Sequence, residues 1–157
     1  MFPARVLVAT DGSREAEPAV EAAVDLANGT GSELQIVYVV STVSGPPKSS
    51  STVGVRGGAH MEQRRLIGFR LLENQTRRIE ELGGSVAASH YREGRPEKEV
   101  VRLARELDVG LIVTGGRRRP WFERIFGAGF STTVIRKAHR PVLVVGSQGV
   151  QSSAVPR

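Results

Sequence analysis

The chain has 157 residues, of which 39% are hydrophobic and 24% are charged, a balance typical of one ordinary globular domain. It contains no cysteine, which excludes disulfide frameworks, thiolate catalysis and cysteine metal sites. The net charge of +6 would suit nucleic-acid binding, but glutamates interleave with the scattered arginines and no nucleic-acid-binding motif appears, so we do not expect a nucleic-acid partner.

The first predicted element is a buried strand at 5–10 (RVLVAT), a short apolar run that ends at the turn sequence Asp11-Gly12-Ser13. The residues before it lack the basic region and long apolar core of a signal peptide. No apolar run approaches the roughly 18 residues that a membrane-spanning helix needs. We therefore expect a cytoplasmic protein without a membrane partner.

A helix and a second strand follow. Small apolar residues recur at helical spacing over 15–28, which predicts a helix with Ser13 as its N-cap and with Gly29 or Gly31 at its end. The run at 34–40 (LQIVYVV) is rich in β-branched residues and predicts a strand. Strand, capped turn, helix and strand in this order form the opening of a βαβ unit.

The segment at 41–60 has a different character. It is dense in Ser, Gly and Pro without a hydrophobic period, so we predict a flexible loop that either covers a ligand site or is a plain surface loop. A long helix is predicted at 61–82, ending at Gly83-Gly84. The residues predicted to lie near its buried face are Leu66, Phe69, Leu72, Thr76 and Ile79.

The second half of the chain continues the alternation. We predict a weaker strand at 85–92, a helix at 96–107, a strand at 109–114, a helix at 131–138 and a strand at 141–145. The strands alternate with helices and are apolar enough to be covered on both faces. This pattern predicts an α/β protein with a parallel sheet and right-handed crossovers.

No internal repeat or second-domain boundary appears, so a single domain is expected to span 1–146. The small polar residues at 147–157 predict a disordered tail.

The most informative stretch is 111–145, where a buried strand leads into a glycine- and arginine-rich loop and then into a helix. Loops in this position often hold phosphate, because free backbone N–H groups and the helix macrodipole both favour an anion. Arg117, Arg118 and Arg119 add positive charge to the loop. The alternative interpretation is a solvated basic loop.

Three stretches together resemble the universal stress protein family: VLVATDGS, GRPEKEVVRLARELDVGLIVTGG and RIFGAGFSTTVIRKAHRPVLVV. The resemblance covers 5–145. It implies a Rossmann-like, adenine nucleotide alpha hydrolase-like fold: a single-domain open sheet of five parallel strands in the order 3-2-1-4-5, with helices on both faces. It also implies a homodimer, with ATP bound in one branch of the family. The apolar strand at 141–145 would lie at a sheet edge, so we predict that the homodimer forms through it.

In the implied strand order, strands 1 and 4 are neighbours whose connections leave to opposite sides, which opens a ligand crevice. Carried over from the family, Asp11 would accept hydrogen bonds from ribose hydroxyls or the adenine amine, and the backbone of Val39 would meet the adenine edge. The candidate nucleotide-binding residues are Ala9, Asp11, Val39, Thr114, Gly115, Arg117, Arg118, Gly127, Ala128, Gly129, Ser131 and Thr132. The alternative for Asp11 is a capping or Asx-turn role, and for Gly115 and Gly127 a turn with positive φ.

ATP-binding members of the family resemble the pattern G-x2-G-x9-G-[ST]. Counted from Gly115, Arg118 occupies the place of the second glycine and Ala128 that of the third. Either Arg117 and Arg118 compensate by charge-assisted bonds to phosphate, or the pocket no longer binds nucleotide and the protein has no cofactor.

These two alternatives, a pocket that binds nucleotide and a pocket that does not, predict two different functions. One is a regulatory stress-response protein that binds ATP or another adenine nucleotide, and the other is a dimeric interaction module that binds none. No Ser/His/Asp set, metal cluster or P-loop lysine appears, so we predict neither catalytic nor metal-binding residues and do not expect an enzyme.

Overall fold

The computed structural model describes residues 4–42, 57–116 and 130–146. The strands in these ranges are β1 (Arg5–Ala9), β2 (Glu33–Ser41), β3 (Val86–Gly94), β4 (Leu111–Gly116) and β5 (Val142–Gly146). The helices in them are α1 (Glu17–Thr30), α2 (Gly57–Glu81), α3 (Pro96–Glu106) and α4 (Phe130–Ala138), and a 3-10 turn at Arg14–Ala16 precedes α1. All paired strands are parallel and lie in the order β3-β2-β1-β4-β5, which confirms the predicted sheet.

The central strand, β1, shows how the two faces of the sheet are covered. Val6, Leu7 and Val8 are fully buried because β1 pairs with β2 on one side and β4 on the other. Val6 and Val8 join a core cluster with α1 and α2, whereas Leu7 points to the opposite cluster, which contains α3 and α4. Side chains alternate between faces along a strand, so helices cover both faces as predicted.

The first helix follows the small-residue pattern. Ser13 caps the 3-10 turn, with its hydroxyl accepting a hydrogen bond from the Ala16 N–H at 3.3 Å. Gly31 ends α1 in the left-handed region at φ 70°. The Gly31 end matches the prediction, whereas Ser13 caps the 3-10 turn that precedes α1, and Ala16 is the N-cap position of α1 itself. The α1 residues buried against the sheet are Ala19, Val20, Ala23, Val24 and Ala27.

The buried face of α2 differs from the predicted one. Leu72 and Ile79 are buried, but Leu66 and Phe69 are 55% and 54% exposed, so their placement in the core was wrong. The buried face continues from Leu72 back to Gly68, where an added Cβ would lie 2.4 Å from the ring of Tyr91. A glycine carries no hydrophobic signal, so the apolar pattern pointed to its neighbours instead.

The predicted loop at 41–60 was too long at both ends. Ser41 belongs to β2, where it pairs with Gly94 of β3, because the β3 partner strand extends that far. Helix α2 begins at Gly57, since a helix nucleated by its favourable residues propagates readily into adjacent positions. The rest of that segment and the tail at 147–157 lie outside the described residues.

The fourth strand begins two residues later than predicted. Val109 is buried but belongs to the turn that ends α3, where its N–H donates to the Ala104 carbonyl at 3.0 Å. Asp108 in the same turn has a φ of 49°. At its other end β4 extends to Gly116, which pairs with Gly146 of β5.

Candidate functional site

The carboxyl ends of β1 and β4 lie side by side, with Ala9 paired to Thr114. The chain leaves β1 for α1 on one face of the sheet, and α4, which follows β4 in sequence, lies on the other face. Neighbouring strands whose connections leave to opposite sides leave a crevice between them. The structure therefore brings Ala9, Asp11, Thr114 and Gly115 together at the edge where the sequence predicted a nucleotide site.

Asp11 organises the turn after β1. Its Oδ1 accepts hydrogen bonds from the Ser13 N–H at 3.1 Å and from the Ser13 hydroxyl at 2.6 Å. These bonds form an Asx turn that leads into the 3-10 turn, so the capping alternative for Asp11 is present in the structure. A carboxylate offers two oxygens and about four lone-pair positions, so this role is compatible with contact to a ligand.

Thr10 is a buried crevice residue that the sequence reasoning missed. Its N–H donates to the Val37 carbonyl at 3.1 Å, and its hydroxyl donates to Gln75 Oε1 at 3.3 Å. The same hydroxyl accepts a hydrogen bond from the Gly12 N–H at 3.1 Å. Thr10 therefore connects the turn to β2 and to α2. The sequence showed only a threonine directly after an apolar strand. Its partner Gln75 lies 65 positions away, and no local pattern indicated their contact.

Gly12 and Gly115 are glycines for different reasons. Gly12 has a φ of 73°, and an added Cβ would lie 3.1 Å from the Leu71 side chain of α2. Gly115 is not among the residues with positive φ, so the turn-geometry alternative for it was wrong. An added Cβ at Gly115 would instead lie 3.3 Å from the Glu15 carbonyl oxygen, so a glycine lets β4 pass close to the 3-10 turn.

Val39 lies two residues beyond Val37, the β2 residue that pairs with the last residue of β1. It is half-buried and pairs with Arg92 on the β3 side. On the β1 side it lies two residues beyond the last β1–β2 pair, so its backbone extends past the end of the neighbouring strand.

Ser131 and Thr132 lie in the first turn of α4, which begins at Phe130. Ser131 is half-buried and Thr132 is exposed. The other predicted phosphate-loop residues lie outside the described residues, and their roles stay predictions: Arg117, Arg118, Gly127, Ala128 and Gly129.

Three of the groups with a perturbed pKa, Arg65 of α2 and Tyr91 and Glu93 of β3, form a second polar cluster. Burial, with help from a hydrogen bond to Glu93, raises the pKa of Tyr91 to about 12. The Arg65 guanidinium, whose Nε lies 2.9 Å from Glu93 Oε1, lowers the pKa of Glu93. The Arg65 to Glu93 pair joins α2 to β3 and lies on the partly exposed surface, which is typical of a structural ion pair.

Residues 4–42, 57–116 and 130–146 contain neither a candidate metal site nor a candidate membrane span. No three His, Asp or Glu side chains come together there as a metal site. None of the helices in these ranges is long and apolar enough to cross a bilayer.

Similarity to known proteins agrees with this architecture. Universal stress protein MJ0531 of Methanocaldococcus jannaschii is 30% identical over 143 residues, covering 90% of this chain and 81% of that protein. A universal stress protein in complex with cAMP has a TM-score of 0.68 at 22% identity, covering 93% of this chain and 98% of that one. The universal stress protein from Archaeoglobus fulgidus in complex with dAMP has a TM-score of 0.64 at 22% identity, covering 92% of this chain and 99% of that one.

At these identities the solved structures establish the fold alone. The family itself is established by the sequence model of the universal stress protein family, which matches residues 4–146. That range contains all five strands and the whole of the crevice. The chain belongs to the universal stress protein family.

Proposed function

We propose that this protein acts in a stress response by binding an adenine nucleotide in the crevice where β1 and β4 end. The observation that carries the proposal is the pairing of Ala9 with Thr114 at the switch point of the sheet, beside the turn ordered by Asp11. Ligands of open α/β sheets bind at this position. The cAMP and dAMP complexes of two proteins with the same fold support an adenine nucleotide as the ligand.

In this proposal the nucleoside lies across the ends of β1 and β2. Asp11 is partly exposed, and an ionised carboxylate only accepts hydrogen bonds, so ribose hydroxyls and the adenine amine are suitable donors. The Val39 backbone, which extends past the end of β1, meets the adenine edge. Thr114 and Gly115 line the sugar.

The phosphates lie toward α4. The N-terminus of a helix favours an anion, and the first turn of α4 adds the hydroxyls of Ser131 and Thr132. Arg117 and Arg118, directly after β4 in the sequence, supply charge-assisted bonds in place of the missing glycine backbone. Affinity that depends on side-chain charge is screened by salt, so ATP binding weakens as ionic strength rises.

The proposed role is regulatory. Within the described residues, the Ser13 hydroxyl donates directly to Asp11 with no histidine between them, so the relay that activates a serine nucleophile is not formed there. The same residues contain no candidate metal cluster to activate a water molecule. We propose that the protein retains the nucleotide rather than turning it over.

The proposal includes a homodimer formed through β5. This strand lies at one edge of the sheet, and Leu143 and Val144 are each 37% exposed. An apolar edge strand exposes unpaired backbone groups and favours pairing with a second copy.

Calorimetric titration of the full chain with ATP, AMP and cAMP tests the nucleotide proposal, with GTP as the matched control for the base. We expect saturable binding of at least one adenine nucleotide and weaker binding of GTP. If none of the three adenine nucleotides binds, the dimeric interaction module becomes the better account of the protein.

A further inference from the structure

We propose that the groove between α3 and α4 is a second anion site, which takes a compact molecule carrying several phosphate groups. The groove has a volume of about 530 Å³. Five cationic side chains line it: Lys98, Arg102, Arg105, Arg136 and Lys137. These residues are scattered in the sequence, and only the packing of α3 against α4 places them around one groove.

The positive charge of the groove is mostly uncompensated. Its one acidic lining residue, Glu106, accepts hydrogen bonds from Arg102 at 3.1 Å and from Arg92 at 2.7 Å, so two guanidinium groups already share this carboxylate. Lys98, Arg136 and Lys137 form no ion pair with any acidic residue in the described ranges. An anion entering the groove would meet cations that no carboxylate of these ranges neutralises.

Three cations follow one another along α3, and in the described ranges only Arg102 among them is paired with Glu106. Lys98 and Arg102 are four residues apart and Arg102 and Arg105 are three apart, so like charges lie next to each other on one helical face. Lys98 and Arg105 are separated by roughly 10 Å along the helix axis, at a rise of about 1.5 Å per residue. A chain of phosphates can follow this row of cations along the groove and contact several of them at once.

One of the guanidinium groups is already oriented. Arg105 Nη2 donates to the Lys137 carbonyl at 3.2 Å, which ties α3 to the last turn of α4. A guanidinium carries five N–H donors in a planar fork, so this single bond leaves donors for phosphate oxygens. Val101, which is 6% exposed, lies between the cationic side chains at the base of the groove.

A compact phosphate-rich anion fits these features better than a nucleic acid does. The volume lies in the range of small-molecule sites, which is about 300–1,000 Å³. Proteins that hold single-stranded nucleic acid stack successive bases on several aromatic side chains, whereas in the described ranges the imidazole of His139 is the single aromatic ring that lines the groove.

The groove is distinct from the nucleotide crevice. Arg136 and Lys137 lie in the last turn of α4, whereas Ser131 and Thr132 lie in its first turn. The last turn leads to the amino end of β5. Because the strands are parallel, their amino ends lie on the side of the sheet opposite the carboxyl ends of β1 and β4, where the crevice is.

Calorimetric titration of the full chain with inorganic tripolyphosphate tests this proposal. In an Arg136→Gln/Lys137→Gln double variant, we expect affinity at least about tenfold weaker, because phosphate oxygens lose two charged partners. The matched control is Arg70→Gln/Arg77→Gln, which removes two exposed charges from α2 and should bind like the native protein. Thermal melting checks that both variants fold, and Lys98→Gln supplies an independent groove variant.

Equal weakening in the groove variant and the control would overturn the proposal, since the effect would then reflect net charge alone. It would also be overturned if tripolyphosphate did not bind while a short DNA duplex bound in a groove-dependent manner. AMP binding in the crevice should be the same in the groove variant and the native protein, so failure of one site does not imply failure of the other.

Discussion

Asp11 Oδ1 accepts two hydrogen bonds from Ser13, one from its backbone N–H at 3.1 Å and one from its hydroxyl at 2.6 Å. The pair holds the carboxylate in place at the mouth of the crevice without any ligand. A group that is already ordered loses little conformational freedom on binding, so its contact with a ligand contributes more to affinity.

Replacing Asp11 separates its capping role from its proposed ligand role. In Asp11→Ala we expect unfolding free energy to fall by about 1 kcal/mol from the lost cap. Affinity for an adenine nucleotide should fall by about 1–3 kcal/mol, because buried ligand donors lose their acceptor. Chemical denaturation and calorimetric titration measure the two effects.

The matched control is Ser13→Ala. It removes the hydroxyl that bonds to Asp11 and to the Ala16 N–H but retains the carboxylate and its bond from the Ser13 N–H, so stability should fall while affinity should fall less than in Asp11→Ala. If Asp11→Ala loses stability but binds nucleotide as tightly as the native protein, Asp11 is a capping residue only.

Gly115→Ala tests the close approach of β4 to the 3-10 turn. The added Cβ would lie 3.3 Å from the Glu15 carbonyl oxygen and 3.6 Å from the Ala16 Cα, both of them backbone atoms. We expect a loss of about 1 kcal/mol or more in unfolding free energy, because packed backbone must shift. Urea denaturation is the measurement.

Gly29→Ala provides the comparison for Gly115→Ala. Gly29 is exposed near the end of α1, and an added Cβ there meets nothing within 4 Å. Alanine at that position should stabilise the protein by about 0.5–1 kcal/mol, since it reduces the entropy of the unfolded chain. Similar effects of the two substitutions would contradict the close approach at Gly115.

His90 makes stability depend on pH. Burial lowers the pKa of His90, Arg92 lowers it further and Glu106 opposes the shift. The imidazole Nε2 donates a hydrogen bond to Gln35 Oε1 at 2.8 Å. The unfolded chain keeps a histidine pKa of about 6.5, so protonation favours unfolding. The His90 contribution is present above about pH 6.5 and is lost as the pH falls toward the lower folded-state pKa.

Denaturation at a series of pH values from about 8 to about 5 checks this expectation. The native protein should lose stability across that interval, and His90→Gln should lose less of it. An identical pH profile in the variant would show that His90 is not responsible.

The dimer proposal predicts that a charge on the β5 edge of the sheet disrupts the dimer and that a charge at an exposed apolar position away from β5 does not. Val144→Lys on β5 should give a monomer in sedimentation at micromolar concentration, because a charged edge strand resists pairing. Ile67→Lys, which changes a 56% exposed residue of α2, should remain dimeric. A native protein that sediments as a monomer would contradict the proposed interface.

Hydrophobic periodicity predicted the strands, the helices and a parallel sheet, whereas the strand order came from the resemblance to the universal stress protein family. The β1 run and the small-residue face of α1 each have a clear period, and a parallel sheet that buries both its faces follows from such strands. Helix α2 shows the limit of this method, because its buried face passes through Gly68, which carries no apolar signal.

The site was harder to predict, because its details depend on contacts between distant positions. Thr10 meets Gln75 across 65 positions, and no local pattern indicates that contact. The sequence also does not show why a position requires glycine. Gly12 is required for a positive φ, whereas Gly115 is required because a side chain there would approach the backbone of the 3-10 turn. The cations of the α3 and α4 groove looked scattered for the same reason, since only the fold places them together.

Amide chemical shifts of the isotopically labelled full-length protein during titration with ATP test both whether ATP binds and where it binds. If ATP binds in the crevice, we expect saturable shifts at the amides of Asp11, Gly12, Val39 and Gly115, at the carboxyl ends of β1, β2 and β4. The triphosphate of ATP can also enter the groove between α3 and α4. Weaker shifts at Lys98 and nearby groove residues are therefore compatible with binding in the crevice. Saturation without shifts at the crevice amides, or no shifts at all, would contradict nucleotide binding at the β1 and β4 crevice.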